Sequence, residues 1–225
     1  MIQIAKNKIP ARDDALVQKL YEISQGDTDH PGLLPAGLGA LAHTTADQLH
    51  DLIAVEKNDQ GMRRESVGNK LKANRALHLL LSKAQDFLKS VGLRTQASRA
   101  PWKLDKNIPR NDADLISVAD TALLQDASLP VGDPHKFTGG RRLAIIADHN
   151  ALQTLITDTA TKKGAAETAV AAKDGKRKDA VAIYQQARDH LYATLPDGKF
   201  DKKLEWFGFD VWDKPVRHRP AITPP

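Results

Sequence analysis

His43, Asp47 and His50 stand four and three residues apart, so a continuous helix would carry all three on one face, with side chains that ligate divalent transition metals. Against a metal site, Thr44 or Thr45 is placed to cap a helix start, which would leave His43 outside the helix, and surface histidines are the plainer account. A second candidate is Thr138-Gly139-Gly140-Arg141-Arg142, a glycine turn feeding a helix predicted to begin near Leu143. Free backbone N–H groups at such a helix start attract anions. No strand precedes the turn and no Gly-Lys-Ser/Thr ending follows it, so it is not a nucleotide loop, and an ordinary connection is the simpler reading. Basic clusters at Arg63-Arg64, Lys70-Leu71-Lys72, Lys162-Lys163 and Lys176-Arg177-Lys178 would suit phosphate contacts, which need charge but little geometry. Interspersed Asp and Glu, and the lack of aromatic neighbours for base stacking, favour a solvated helix face instead. The residues that would contact an anion are Arg141, Arg142, Lys176, Arg177 and Lys178.

Catalytic constellations are missing. The chain has no cysteine, which excludes disulfides, thiolate-held metals and a cysteine nucleophile. It holds no Ser-centred elbow, no His-Glu-x-x-His pair, no paired-carboxylate pattern and no dinucleotide fingerprint. The chain therefore reads as a non-enzyme, with no cofactor, no metal and no small-molecule substrate expected.

The aromatic residues carry more information. Of three Trp, three Tyr and five Phe in 225 residues, Trp206, Phe207, Phe209 and Trp212 fall within one short stretch near the C-terminus. Four large rings left in water would make an exposed apolar patch, and burying each contributes roughly 2–3 kcal/mol. Two readings follow: the segment seals the end of its own bundle, or the four rings dock on another subunit or partner protein.

The elements that position these residues are helices. The hydrophobic fraction of 41% and charged fraction of 27% suit a globular protein, and the low aromatic fraction of 5% with abundant Ala, Leu, Lys and Gln favours helix over sheet. Prolines at 10, 31, 35, 101, 109, 130, 134 and 196 leave two long proline-free tracts in which apolar residues recur at spacings of three, four and seven. The two tracts align without a gap: Leu49 with Leu152, Ile53 with Ile156, Gly61 with Gly164, Val67 with Val170, Lys70 with Lys173, Ala84 with Ala187, Asp86 with Asp189 and Leu88 with Leu191, each pair 103 positions apart. Upstream, Ile9-Pro10, Asp13 and Leu16 match Ile108-Pro109, Asp112 and Leu115 at an offset of 99. Each module then reads as a short helix with an acidic first turn, a Pro/Gly loop, a second helix capped at Thr45 in the first copy, and a long third helix. Gly61 and Gly164 are read as a turn between second and third helices, with one uninterrupted helix as the rival.

Laid out this way, the pattern resembles a set of uncharacterised bacterial proteins containing two tandem α-helical modules. The residues that carry the likeness are Ile9-Pro10-Ala11-Arg12-Asp13 and Thr168-Ala169-Val170-Ala171-Ala172-Lys173-Asp174, the latter resembling a Val-Ala-Ala-Lys-Asp signature. The resemblance implies a helical bundle and no activity.

The expected fold is all-α: module 1 over 1–104, module 2 over 105–196, and an aromatic, basic, Pro-rich extension over 197–225. A net charge of +5 from 33 basic and 28 acidic residues permits polyanion binding without demanding it. No apolar run is long enough for a signal peptide or a membrane span, so a cytoplasmic protein is expected. The expected function is a non-catalytic structural or interaction protein that associates with itself or a protein partner through its helical faces and aromatic segment; the alternative is a basic protein that binds nucleic acid or another polyanion.

Overall fold

The computed structural model describes residues 8–212. Among them the chain forms helices α1 (Asp13–Asp29), α2 (Leu38–Ser90), α3 (Gln96–Arg99), α4 (Asp112–Ser128) and α5 (Gly139–Thr194), with 3-10 turns at Ala100–Trp102, Gly198–Phe200 and Lys202–Phe207 and no strand. The all-α expectation holds. No helix among the described residues is long and apolar enough to cross a membrane. The basic, Pro-rich end of the expected C-terminal extension lies outside the described residues.

Two local expectations are corrected. The second helix of the first module begins at Leu38, not at Thr45: Gly37, with φ +83°, reverses the chain, and Leu38, Ala42, Ala46 and Leu49 then enter the core at helical spacing. Thr45 lies inside the helix, only 3% exposed. There is also no turn at Gly61 or Gly164, because α2 runs unbroken for 53 residues and α5 for 56. One exposed glycine costs a helix only about 1 kcal/mol relative to Ala, which a tract of good helix formers absorbs.

The apolar face does fade near those glycines, for a different reason. The chain divides into two compact units, unit 1 comprising Met1–Lys57 with Thr168–Pro225 and unit 2 comprising Asn58–Glu167. Both borders fall inside the long helices, a few residues from Gly61 and Gly164. The fading marks where each helix leaves one core and enters another.

Unit 1 packs α1, the first part of α2 and the last part of α5. Leu16, Leu20 and Ile23 of α1 meet Ala42, Ala46 and Leu49 of α2 and Ala180, Tyr184, Ala187 and Leu191 of α5 in a single buried cluster. Unit 2 packs α4, the last part of α2 and the first part of α5: Leu115, Ala119 and Ala122 meet Leu77, Leu81, Ala84 and Leu88, and then Ile145 and Leu152. Each fully buried Leu contributes on the order of 2 kcal/mol, so both units hold a real core.

Candidate functional site

The start of α4 is the best-built polar feature of unit 2. Asn111 caps the helix, its side chain accepting from the Asp114 N–H at 2.8 Å. The next residue, Asp112, receives Lys70 Nζ at 2.8 Å and Asn74 Nδ2 at 2.7 Å, and Asn74 also donates to the Arg110 carbonyl at 3.0 Å. Partial burial works against the Asp112 charge, but the hydrogen bonds from Lys70 and Asn74 and the Lys70 charge carry its pKa below the usual carboxylate value.

Pinning residues 110–112 to α2 leaves a groove of about 540 Å³, lined by Leu71, Asn74, Arg75, His78, Leu79 and Arg110. Leu71 and Leu79 lie eight residues apart on α2, about 12 Å along the helix axis, and are 50% and 54% exposed. The lining carries two guanidinium groups and an imidazole but no carboxylate. An occupant with acidic and apolar groups would meet complementary chemistry there. Sequence reasoning picked out Lys70-Leu71-Lys72 and missed Arg75, His78 and Arg110. The available signal was that Leu71, Arg75, His78 and Leu79 fall off the helix face that carries Leu77, Leu81, Ala84 and Leu88.

Unit 1 has an acidic helix start of the same kind, beside a groove of about 340 Å³ lined by Ala11, Arg12, Asp13, Asp14, Ile53, Glu56 and Lys57, so that carboxylates face it. Asp13, first residue of α1, is bound by Lys173 Nζ at 3.0 Å and Arg177 Nε at 2.7 Å. Arg177 Nη2 also donates to the Pro10 and Ala11 carbonyls at 3.1 and 3.3 Å. Lys173 pairs with Glu56 at 3.0 Å as well, and the hydrogen bonds to Glu56 and then Asp13 raise its pKa above the ordinary lysine value.

The other residues singled out from sequence are placed as follows. His43 lies inside α2, 3.7 Å from Asp47, whose other oxygen accepts the Tyr21 hydroxyl at 2.6 Å; that bond raises the Tyr21 pKa. His50 pairs with Asp51 at 3.8 Å, and no three His, Asp or Glu side chains are gathered to hold a metal among the described residues. Of the proposed anion contacts, Arg141 stacks over the Phe87 ring at 4.2 Å, Arg142 lies 3.2 Å from buried Asp126, Lys176 lies 3.2 Å from Asp179, and Arg177 is bound to Asp13. Only Lys178 of the five stands exposed on the helix surface. The expected glycine turn is corrected: α5 begins at Gly139, not near Leu143, so both glycines form its first turn, and the segment before it is held by Asp126, which accepts the Phe137 N–H at 2.6 Å. Ser66, 1% exposed, donates to Asp158 at 2.6 Å.

The four C-terminal rings divide. Phe207 and Phe209 are 0% and 2% exposed and belong to the core of unit 1, with Phe209 5.2 Å from the Tyr184 ring. Tyr184's own burial pushes its phenol up to about 12. The segment turns at Gly208, φ +73°, whose carbonyl accepts from Lys19. Trp206 stacks on His30 at 3.9 Å and remains 44% exposed, and the Trp212 ring lies under the Lys199 ammonium at 4.4 Å. The two phenylalanines are therefore enclosed by their own unit, Trp206 is the most exposed of the four rings, and Trp212 is partly exposed.

Compared with models of known protein families, with curated proteins and with solved structures, the chain matches none.

Proposed function

We propose that this is a non-catalytic helical interaction protein, built from two copies of one module, that presents exposed apolar helix surface to protein partners, a second copy of itself among them. The observation that carries the reading is the distribution of exposed large apolar side chains. Among the described residues, six of the ten lie on α2: Leu41 and Val55 in unit 1, and Met62, Val67, Leu71 and Leu79 in unit 2. Single exposed apolar residues are ordinary, but their concentration on one helix is what a contact surface needs.

Several placements support the duplication. At the offset of 103, buried Leu77, Leu81, Ala84 and Leu88 correspond to Ala180, Tyr184, Ala187 and Leu191, all buried. At the offset of 99, Leu16, Leu20 and Ile23 correspond to Leu115, Ala119 and Ala122. The salt bridges Lys173–Asp13 and Lys70–Asp112 occupy corresponding positions. The aromatic segment also has a counterpart in the first module: Trp102-Lys103-Leu104-Asp105 parallels Phe207-Gly208-Phe209-Asp210. In both, a 3-10 turn ends in a left-handed residue, Lys103 with φ 56° or Gly208 with φ 73°, between two buried apolar side chains. On this reading the segment is the second module's own closing turn.

The test is solution mass by light scattering over a dilution series at two salt concentrations, for the full chain and for Leu41→Ser with Val55→Ser. The expected result is a wild-type mass above the 24.6 kDa of one chain that falls toward it in the variant. A single-chain mass at every concentration sinks self-association. The second reading, polyanion binding, is favoured by the unpaired cationic lining of the unit 2 groove; it predicts nucleic-acid affinity that collapses between low and moderate salt.

A further inference from the structure

We infer that the groove of unit 2 is a docking site for an acidic, amphipathic segment of a partner protein; this rests on the interaction-protein reading and names the site and partner class. Three observations lead there. First, the two helix starts differ: where Arg177 reaches across to Asp13 and two carbonyls in unit 1, the shorter Asn74 satisfies Asp112 and the Arg110 carbonyl and stops there, and the groove beside the α1 start is lined by Asp13, Asp14 and Glu56, which would repel an acidic segment. Second, its charge is one-sided. Arg75, His78 and Arg110 line it with no acid among the lining residues, while the nearby carboxylate of Asp112 is already held by Lys70 and Asn74.

Third, its walls are apolar and uncovered. Leu71 and Leu79 are about half exposed and two helical turns apart, the spacing at which a partner helix sets successive anchors into a groove. An acidic helix or short strand with apolar residues would cover both leucines and bring carboxylates to the two guanidinium groups, which bind them bidentately. Nucleic acid fits less well, because the half-exposed Leu71 and Leu79 that wall the groove give a phosphate backbone nothing to bind and the lining holds no Trp, Tyr or Phe.

The test uses the full chain and a fluorescein-labelled peptide of Glu-Leu-Leu-Glu repeats, followed by fluorescence anisotropy, with an unlabelled single-stranded oligonucleotide as competitor. Two variants probe the groove: Leu71→Ser with Leu79→Ser for the walls, and Arg75→Glu with Arg110→Glu for the charge. Lys202→Glu, an exposed cation in unit 1, controls for net charge, and circular dichroism melts establish that each variant folds. The expected result is peptide affinity weakened about tenfold or more by both groove variants and by less than about twofold in the control. Failure of the peptide to bind, or equal weakening in Lys202→Glu, overturns the inference. So does peptide displacement by the oligonucleotide when oligonucleotide affinity does not respond to the wall variant, which would make the groove a polyanion strip. The mass measurement reads self-association separately, since Leu41 and Val55 line no part of this groove.

Discussion

Gly26 shows how one residue governs the closing of unit 1. A Cβ there would lie 2.5 Å from the Trp206 carbonyl oxygen and 2.6 Å from the Phe207 ring, so α1 and the C-terminal turn approach each other only because Gly26 has no side chain. Gly26→Ala is expected to displace the segment, costing about 1–3 kcal/mol as overpacking does. Tyr184 supplies a direct readout. Its phenol is held neutral by burial up to about 12, so the associated stability is fully present below the ordinary value near 10 and is lost as pH rises toward 12. Titration of ¹³C-labelled tyrosine by NMR should show the Tyr184 transition moving down in Gly26→Ala; an unchanged transition would mean the ring is sheltered without the segment. At this scale the sequence was partly legible. Asp13 and Asp112 were readable as helix-start acids from the Ile-Pro motif before each. The roles of Arg75, His78 and Arg110 were not, because they depend on whether Asn74 or an arginine spans the gap beside α4, a tertiary matter that helical spacing does not encode.

Among the elements, the long helices were legible as proline-free tracts and mislegible at their middles. Loss of large apolar residues around Gly61 and Gly164 has the same signature in sequence whether the chain turns or the helix passes between cores. The compact units decide for the second. A Cβ at either glycine meets nothing within 4 Å, and both residues are exposed and helical. Gly61→Ala and Gly164→Ala should each stabilise the protein by roughly 0.5–1 kcal/mol, through helix propensity and the narrower unfolded ensemble. Denaturant unfolding followed by circular dichroism measures this. A clear loss of stability in either variant would indicate a turn conformation that alanine resists.

For the whole molecule, the division into units cuts across the proposed division into sequence modules. Unit 1 takes α1 and the first part of α2 from one half of the chain and the last part of α5 from the other, and unit 2 takes the complementary pieces. Neither half of the sequence contains a complete core: Leu16 and Leu20 share a cluster with Tyr184 and Leu191, while Leu115 and Ala119 share one with Leu81 and Leu88. A break in the connection before α4 should therefore leave the two halves bound. A protease site inserted after Asn107 in the full chain lies beyond the Gln85 bonds to the Leu104 and Lys106 carbonyls, and the nearest cluster residue that it adjoins is Ile108, only partly buried at the edge of the unit 2 core. The cleaved protein should elute as one species with helical content unchanged, and the halves should part only in denaturant. Because the joined chain no longer supplies its own effective concentration, its melting temperature should fall and become dependent on protein concentration. Separation of the halves as independently folded species under native conditions would mean that each module closes its own core, and the composite construction of both units would be wrong.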